Sequence, residues 1–153
     1  MRPYDPQVIE AFLGRFYGDK ALQILPYGYT VTFTGMTAAL ASTQQLNIAA
    51  NADFVLMGLR YRAHDTSLQE NSTKTAAFGR VLITDSGTNE QFTNAAVDLE
   101  NYATNNGDAR MLAYPRIIAG RSSLTVALTM YAPAAETIAL DLFFDGLLVR
   151  AFN

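Results

Sequence analysis

From residue 22 onward the apolar residues of this chain recur with a period of two, in short runs punctuated by Gly, Pro and Asn. A period of two is the signature of strands that bury one face, so this rhythm constrains the fold more than any other feature of the chain. "TVTFT" (30–34) alternates throughout, with Val31 and Phe33 on one side. "SLTVALTMY" (123–131) sets Leu124, Val126, Leu128 and Met130 against Ser123, Thr125, Ala127 and Thr129. "TIALDLFF" (137–144) gives an inner row of Ile138, Leu140, Leu142 and Phe144, with Asp141 and Phe143 outside. "QQLNIAA", "FGRVLIT" and "RMLAYPRIIA" read as further strands, and "ADFVLMGLRYRA" (52–63) is almost continuously apolar, as a strand buried on both faces would be.

About eight short strands with no helical crossover between them point to an all-β fold, an antiparallel sandwich or barrel. The connections "TAALAST", "HDTSLQENSTKT" and "NYATNNGDA" are longer than tight hairpin turns, so some strands must pair with distant partners. That favours a β-sandwich of the jelly-roll type over an up-and-down barrel.

Ahead of the strands, "DPQVIEAFLGRFYGD" carries helix punctuation at both ends: Asp5 as N-cap, Pro6 at the first helical position and Gly18 at the C-terminal cap. Val8, Ile9, Phe12, Leu13, Phe16 and Tyr17 fall on one wide apolar face of a short amphipathic helix. A helix of about twelve residues is marginal alone in water. The helix must therefore pack either on its own domain or on a neighbouring subunit; the sandwich is expected to close its core with its own inner faces, which leaves the helix no evident internal slot and favours the second. Residues 1–20 are therefore expected to form a helical arm and residues 21–153 the β-sandwich domain. Phe12, Leu13, Phe16 and Tyr17, with Phe143 on the outer face of the last strand, are the expected assembly interface.

At 153 residues the chain fits one domain with a core of useful size. It has no cysteine, which excludes disulfides, thiolate zinc sites and cysteine nucleophiles. The net charge is -3 and the 11 Lys and Arg are dispersed, so direct nucleic-acid binding is not expected. The amino terminus lacks the pattern of a signal peptide and no apolar run is long enough to span a membrane, so the expectation is a soluble chain made in the cytoplasm. Only 16% of residues are charged, against about 25% in a typical domain. Such a weakly charged surface suits either an ordinary neutral β-protein or one that meets other subunits.

The polar cluster Asp85, Asn89, Glu90 and Asn94 in "LITDSGTNEQFTN" invites a metal or catalytic reading. Calcium loops need several oxygen ligands in an order such as D-x-[DN]-x-[DN]-G, and here position 87 is Gly with no Glu at the required distance. Turn chemistry accounts for the whole cluster: Ser86–Gly87 offers a positive φ, and Asp85 and Asn89 bond nearby backbone amides. The single histidine, His64, reads as an exposed loop residue beside Asp65 and cannot make a multi-histidine metal site. No catalytic motif appears, and the absence of Trp weighs against sugar chemistry. No cofactor is expected.

The phrases "QQLNIAANADFVLMGLRYRA", "GRVLITDSGTNEQFTNAAVDLENY", "YPRIIAGRSSLTVALT" and "TIALDLFFDGLLV" together resemble the small jelly-roll virion proteins of tailed bacteriophages, which accompany the major capsid protein as cement or decoration proteins. The likeness covers roughly residues 42 to 149 and rests on the order of these phrases rather than on a chemical motif. It implies a non-enzymatic protein on the outer capsid surface that clamps adjacent capsomers. Its partners would be the major capsid protein and further copies of itself, as a dimer or trimer. Two other roles suit the same fold: a neck, tail or fibre-adaptor protein, and a carbohydrate-binding module, for which exposed Tyr clusters around a shallow groove would be the mark.

Overall fold

Alternating apolar residues become strands wherever two sheets can share them as a core, and in the computed structural model this happens along most of the chain. The structure describes residues 5–37, 39–66, 74–75, 78–131 and 137–152. Among them, helix α1 (Pro6–Tyr17) is followed by β1 (Ala21–Met36), β2 (Ala41–Asn47), β3 (Asp53–Asp65), β4 (Lys74–Thr75), β5 (Gly79–Asp85), β6 (Glu90–Gln91), β7 (Val97–Asp98), β8 (Ala103–Thr104), β9 (Arg110–Ile118), β10 (Ser123–Met130) and β11 (Ile138–Phe152). A 3-10 turn at Leu99–Asn101 lies between β7 and β8. Most of the connection "HDTSLQENSTKT" lies outside the described residues.

The first sheet runs β1-β11-β3, and the far edge of β3 is shared end to end by β9, β8 and β4. The second runs β2-β10-β5, with β6 and β7 sharing the far edge of β5. Apart from the parallel pairing of β8, every ladder is antiparallel. With β6 and β7 taken as one interrupted strand, the principal orders are β1-β11-β3-β9 and β2-β10-β5-β6/β7. The chain changes sheet at nearly every connection and its first strand pairs with its last, which is the jelly-roll winding.

The inner rows expected from alternation form the core. Val31, Phe33, Phe54, Val81, Ile83, Leu124, Val126, Leu128, Ile138, Leu140 and Leu142 are all buried, whereas Thr125 and Thr129 are only partly covered. β3 keeps its inner row despite an irregularity: Leu56 faces Gly146 and Gly58 faces Asp145, so Met57 is an extra residue. This bulge lets Phe54 and Leu56 before it and Leu59 and Tyr61 after it all point into the core. Gly146 sits where the two strands come closest, and a Cβ there would collide with the Val55 carbonyl oxygen.

Three expectations are corrected. β1 begins at Ala21, well before its alternating stretch, because the end of β11 supplies a partner as far as Phe152; Pro26 is tolerated since β1 bonds on one side only. His64 lies within β3 opposite Ala139 and Lys74, not in a loop, because the ladder continues to Asp65. The third concerns α1. The outer face of the first sheet does provide a slot for it, since the bulged strand and β11 turn Val55 and Val149 outward, and Leu13 and Tyr17 are buried against them.

Candidate assembly surface

α1 forms where the sequence punctuates it. The Asp5 carboxylate accepts from the Gln7 amide at 2.9 Å, Pro6 follows, and Gly18 closes the helix at φ 66° with its N–H bonded to the Gly14 carbonyl. Its apolar face is too wide for the slot beneath it. Leu13 and Tyr17 point into the cluster with Val55, Val149, Met57, Ile117 and Leu147, and burying side chains of this size stabilises by roughly 1.5–3 kcal/mol each. Ile9 and Phe12 are half-buried at its margin. Val8 and Phe16 are left over, 53% and 60% exposed.

The anchor is polar. Tyr17 reaches Asp53 at the start of β3, and burial together with the neighbouring carboxylate pushes its phenol well above the ordinary tyrosine range. The same carboxylate receives the Gly120 amide from the turn between β9 and β10.

Beside the helix, β9 presents Tyr114, 62% exposed, with its ring 5.1 Å from that of Phe12 and edge-on to it. Val8, Ala11, Phe12, Arg15, Tyr114 and Pro115 border a groove of about 220 Å³. On the other side of Phe12, a hollow of about 280 Å³ runs between Phe16 and the hairpin tip at Thr88 and Glu90. The result is an apolar ridge, Val8, Phe12, Phe16 and Tyr114, with a hollow on either flank. Its chemistry is that of side-chain burial: it offers aromatic surface and shape to a partner rather than a reactive group.

Of the five expected interface residues, the structure gathers Phe12, Leu13, Phe16 and Tyr17 at this helix and leaves Phe143 elsewhere. Phe143 lies on the outer face of the same sheet, four residues before Leu147 or roughly 13 Å along the strand. There the Arg60 guanidinium covers its ring at 5.1 Å, held by an ion pair to Asp145 at 3.2 Å. Leu13 and Tyr17 serve the chain's own packing, and the solvent-facing positions are Phe16 and Val8. Tyr114 was not anticipated; the only trace of it in the sequence is the break in alternation before Pro115.

The cluster at residues 85–94 is a hairpin. Asp85 pairs with Glu90 across the turn, and its carboxylate accepts from the Gly87 amide at 2.9 Å. The positive φ falls at Asn89, at 58°, and not at Ser86–Gly87 as expected. Gly87 is required for space instead: a Cβ there would stand 2.8 Å from that of Ser122. Glu90 pairs with Arg116 at 3.0 Å, and that guanidinium lies 4.5 Å over the Phe92 ring. Among the described residues no group of three or more His, Asp or Glu gathers to hold a metal ion.

No family model matches the chain, and no curated protein does. Similar solved structures include the infectious bursal disease virus VP2 subviral particle, at 11% identity and a TM-score of 0.33, covering 88% of this chain and 37% of that chain. Another is the infectious bursal disease virus Gt strain structure, at 10% identity and a TM-score of 0.33, covering 88% and 38%. The present chain thus spans little more than a third of the length of either. A superposition this loose carries no argument, and the jelly-roll assignment rests on the strand pairings themselves.

Proposed function

We propose that the protein is a non-enzymatic bacteriophage virion component that binds the outer capsid surface and cements adjacent capsomers, with the major capsid protein as its partner. The observation that carries this reading is the apolar ridge of Val8, Phe12, Phe16 and Tyr114, which still faces solvent after α1 has docked on its own sheet. A jelly roll hosts many functions, so the fold alone does not argue for this one. The order of sequence phrases between residues 42 and 149, which resembles phage decoration proteins, adds the virion context.

The mechanism is linkage. A protein that binds the assembled shell but not its separated subunits stabilises the shell by mass action, and many copies multiply a modest energy per site. Each ridge aromatic buried against a capsomer would contribute on the order of 1.5–3 kcal/mol before the cost of association.

The test is co-sedimentation with shells of the encoding phage from which this protein has been removed. Wild-type protein is expected to pellet with the shells and raise the temperature at which they disrupt. A Phe16→Asp, Tyr114→Ser variant is expected to stay in the supernatant while melting normally. Failure of the wild type to bind any virion part overturns the proposal, and binding to isolated necks or tails but not shells moves the protein to an adaptor position.

A further inference from the structure

One flank of the sandwich carries no charge at all. From Ala21 through Ala52 the sequence contains no Asp, Glu, Lys, Arg or His, in a chain of which 16% is charged. The fold gathers this stretch in one place. β1 is the end strand of the first sheet and β2 the end strand of the second, each hydrogen-bonded on one side only, and the two pack side by side.

Monomeric proteins guard long edge strands with charges, because unpaired backbone groups invite another strand. Here the sixteen residues of β1 and the seven of β2 lack that protection. Ile24, Leu25 and Tyr27 on β1 are 41–48% exposed. Asp19 and Lys20 stop just short of β1, and on the neighbouring β11 neutral side chains of β1 hold two charges in place: Arg150 donates to Gln23 at 3.0 Å, and Thr32 donates to Asp141 at 2.8 Å. Pro26 removes one backbone donor from β1, but β2, "ASTQQLN", contains neither Pro nor Gly and offers an uninterrupted edge.

We propose that this flank is the contact between two copies of the chain, related by a two-fold axis normal to the sheets. β2 would then pair antiparallel with β2 of the second copy near Gln44, and β1 would abut β1 through Leu25 and Tyr27. Charge selects the occupant. A head-to-tail arrangement would press the neutral flank onto the opposite one, which carries the Arg116–Glu90 ion pair, Arg110 and Asp98. That would strip water from charges and offer nothing in exchange. Two-fold pairing sets neutral edge against neutral edge, and an antiparallel backbone edge is complementary to itself.

The inference stands apart from the virion role: a dimer that ignores shells would keep it and remove the proposed function, and a monomer that binds shells would do the reverse. Sedimentation equilibrium of the wild type is expected to give twice the 16.7 kDa of one chain. A Leu25→Lys, Gln44→Lys variant should fall to the monomer mass, or dissociate roughly tenfold more readily, because like charges set opposite one another are destabilising; its circular dichroism should be unchanged. Since the chain has no cysteine, Gln44→Cys provides a second measurement that does not depend on the lysine variant folding. It should form a disulfide-linked dimer on mild oxidation, while Gln91→Cys on the opposite flank should not. A monomeric wild type, a dimer indifferent to both lysines, or equal crosslinking at Gln91 overturns the proposal.

Discussion

The Tyr17 hydroxyl donates a 2.8 Å hydrogen bond to Asp53 Oδ2, while Asp53 Oδ1 accepts from the Gly120 amide, also at 2.8 Å. One carboxylate therefore ties α1, β3 and the β9–β10 turn together. Tyr17→Phe keeps the ring packed and deletes only the donor, so it is expected to cost about 0.5–1.5 kcal/mol in urea unfolding. Asp53→Ala frees both donors and should cost more.

Alkaline pH tests the same contact. The folded state holds the Tyr17 proton above its ordinary 10.0, through burial first and then the hydrogen bond and negative charge of Asp53. Above that value the unfolded chain releases the proton while the folded one retains it. Stability contributed by this group is thus fully present below pH 10.0 and lost as pH rises beyond it. Melting temperature should fall less steeply over that range in Tyr17→Phe than in the wild type.

The two sides of α1 should respond oppositely. Leu13→Ala opens a cavity against Val55 and Val149 and is expected to cost about 2–5 kcal/mol. Phe16→Ser changes an exposed position and should shift stability by no more than about 0.5 kcal/mol, while impairing attachment to shells. Removing residues 1–20 uncovers Val55 and Val149, so the truncated chain is expected to aggregate rather than persist as a stable sandwich.

Two glycines separate space from flexibility. A Cβ at Gly14 meets nothing within 4 Å, so Gly14→Ala should stabilise the helix by about 0.5–1 kcal/mol. Gly146→Ala drives a methyl into the Val55 carbonyl at the β3 bulge and should cost about 1–3 kcal/mol or more. Thermal melts of the pair should move in opposite directions.

Asp85→Ala removes the acceptor for the Gly87 amide and is expected to cost about 1 kcal/mol, whereas Asp85→Asn keeps an acceptor and should cost less. EDTA should leave the wild-type melting temperature unchanged, because this carboxylate serves a turn. A fall of several degrees would mean that a metal ion is bound there.

Alternation made the inner rows legible because a one-residue slip would have exposed Leu124, Val126 and Leu128 of β10 together with Leu140 and Leu142 of β11. The place of α1 was half legible. The near-continuous apolar run "ADFVLMGL" pointed to a strand buried on both faces, and Val55 with Met57 is the second face, covered by the helix. What concealed the match was the Met57 bulge, which shifts the parity of β3 and cannot be read from residue types. Phe143 looked like an interface residue because its neighbours point inward; that Arg60 would cover it depends on register between β11 and β3, which only the fold establishes. The hairpin at Asp85 was legible in kind, but its left-handed residue was not, since both Gly87 and Asn89 suit that conformation.

The pairing of β1 with β11 also sets the order of events during synthesis. Ala21 finds its partner in Phe152 and Phe33 in Leu140, so β1 leaves the ribosome before β11 and waits through translation of every strand between them. The β2-β10-β5 ladder can form first, on the strength of strands already made. Until β11 emerges, the nascent chain displays a long, neutral, aromatic-bearing segment with nothing to zip onto. Contacts this distant in sequence slow folding, and exposed strands of this kind are captured by neighbours when many chains are made at once. Completion of the last strand is thus the step at which the chain stops being a hazard to its neighbours in the crowd of a busy polysome.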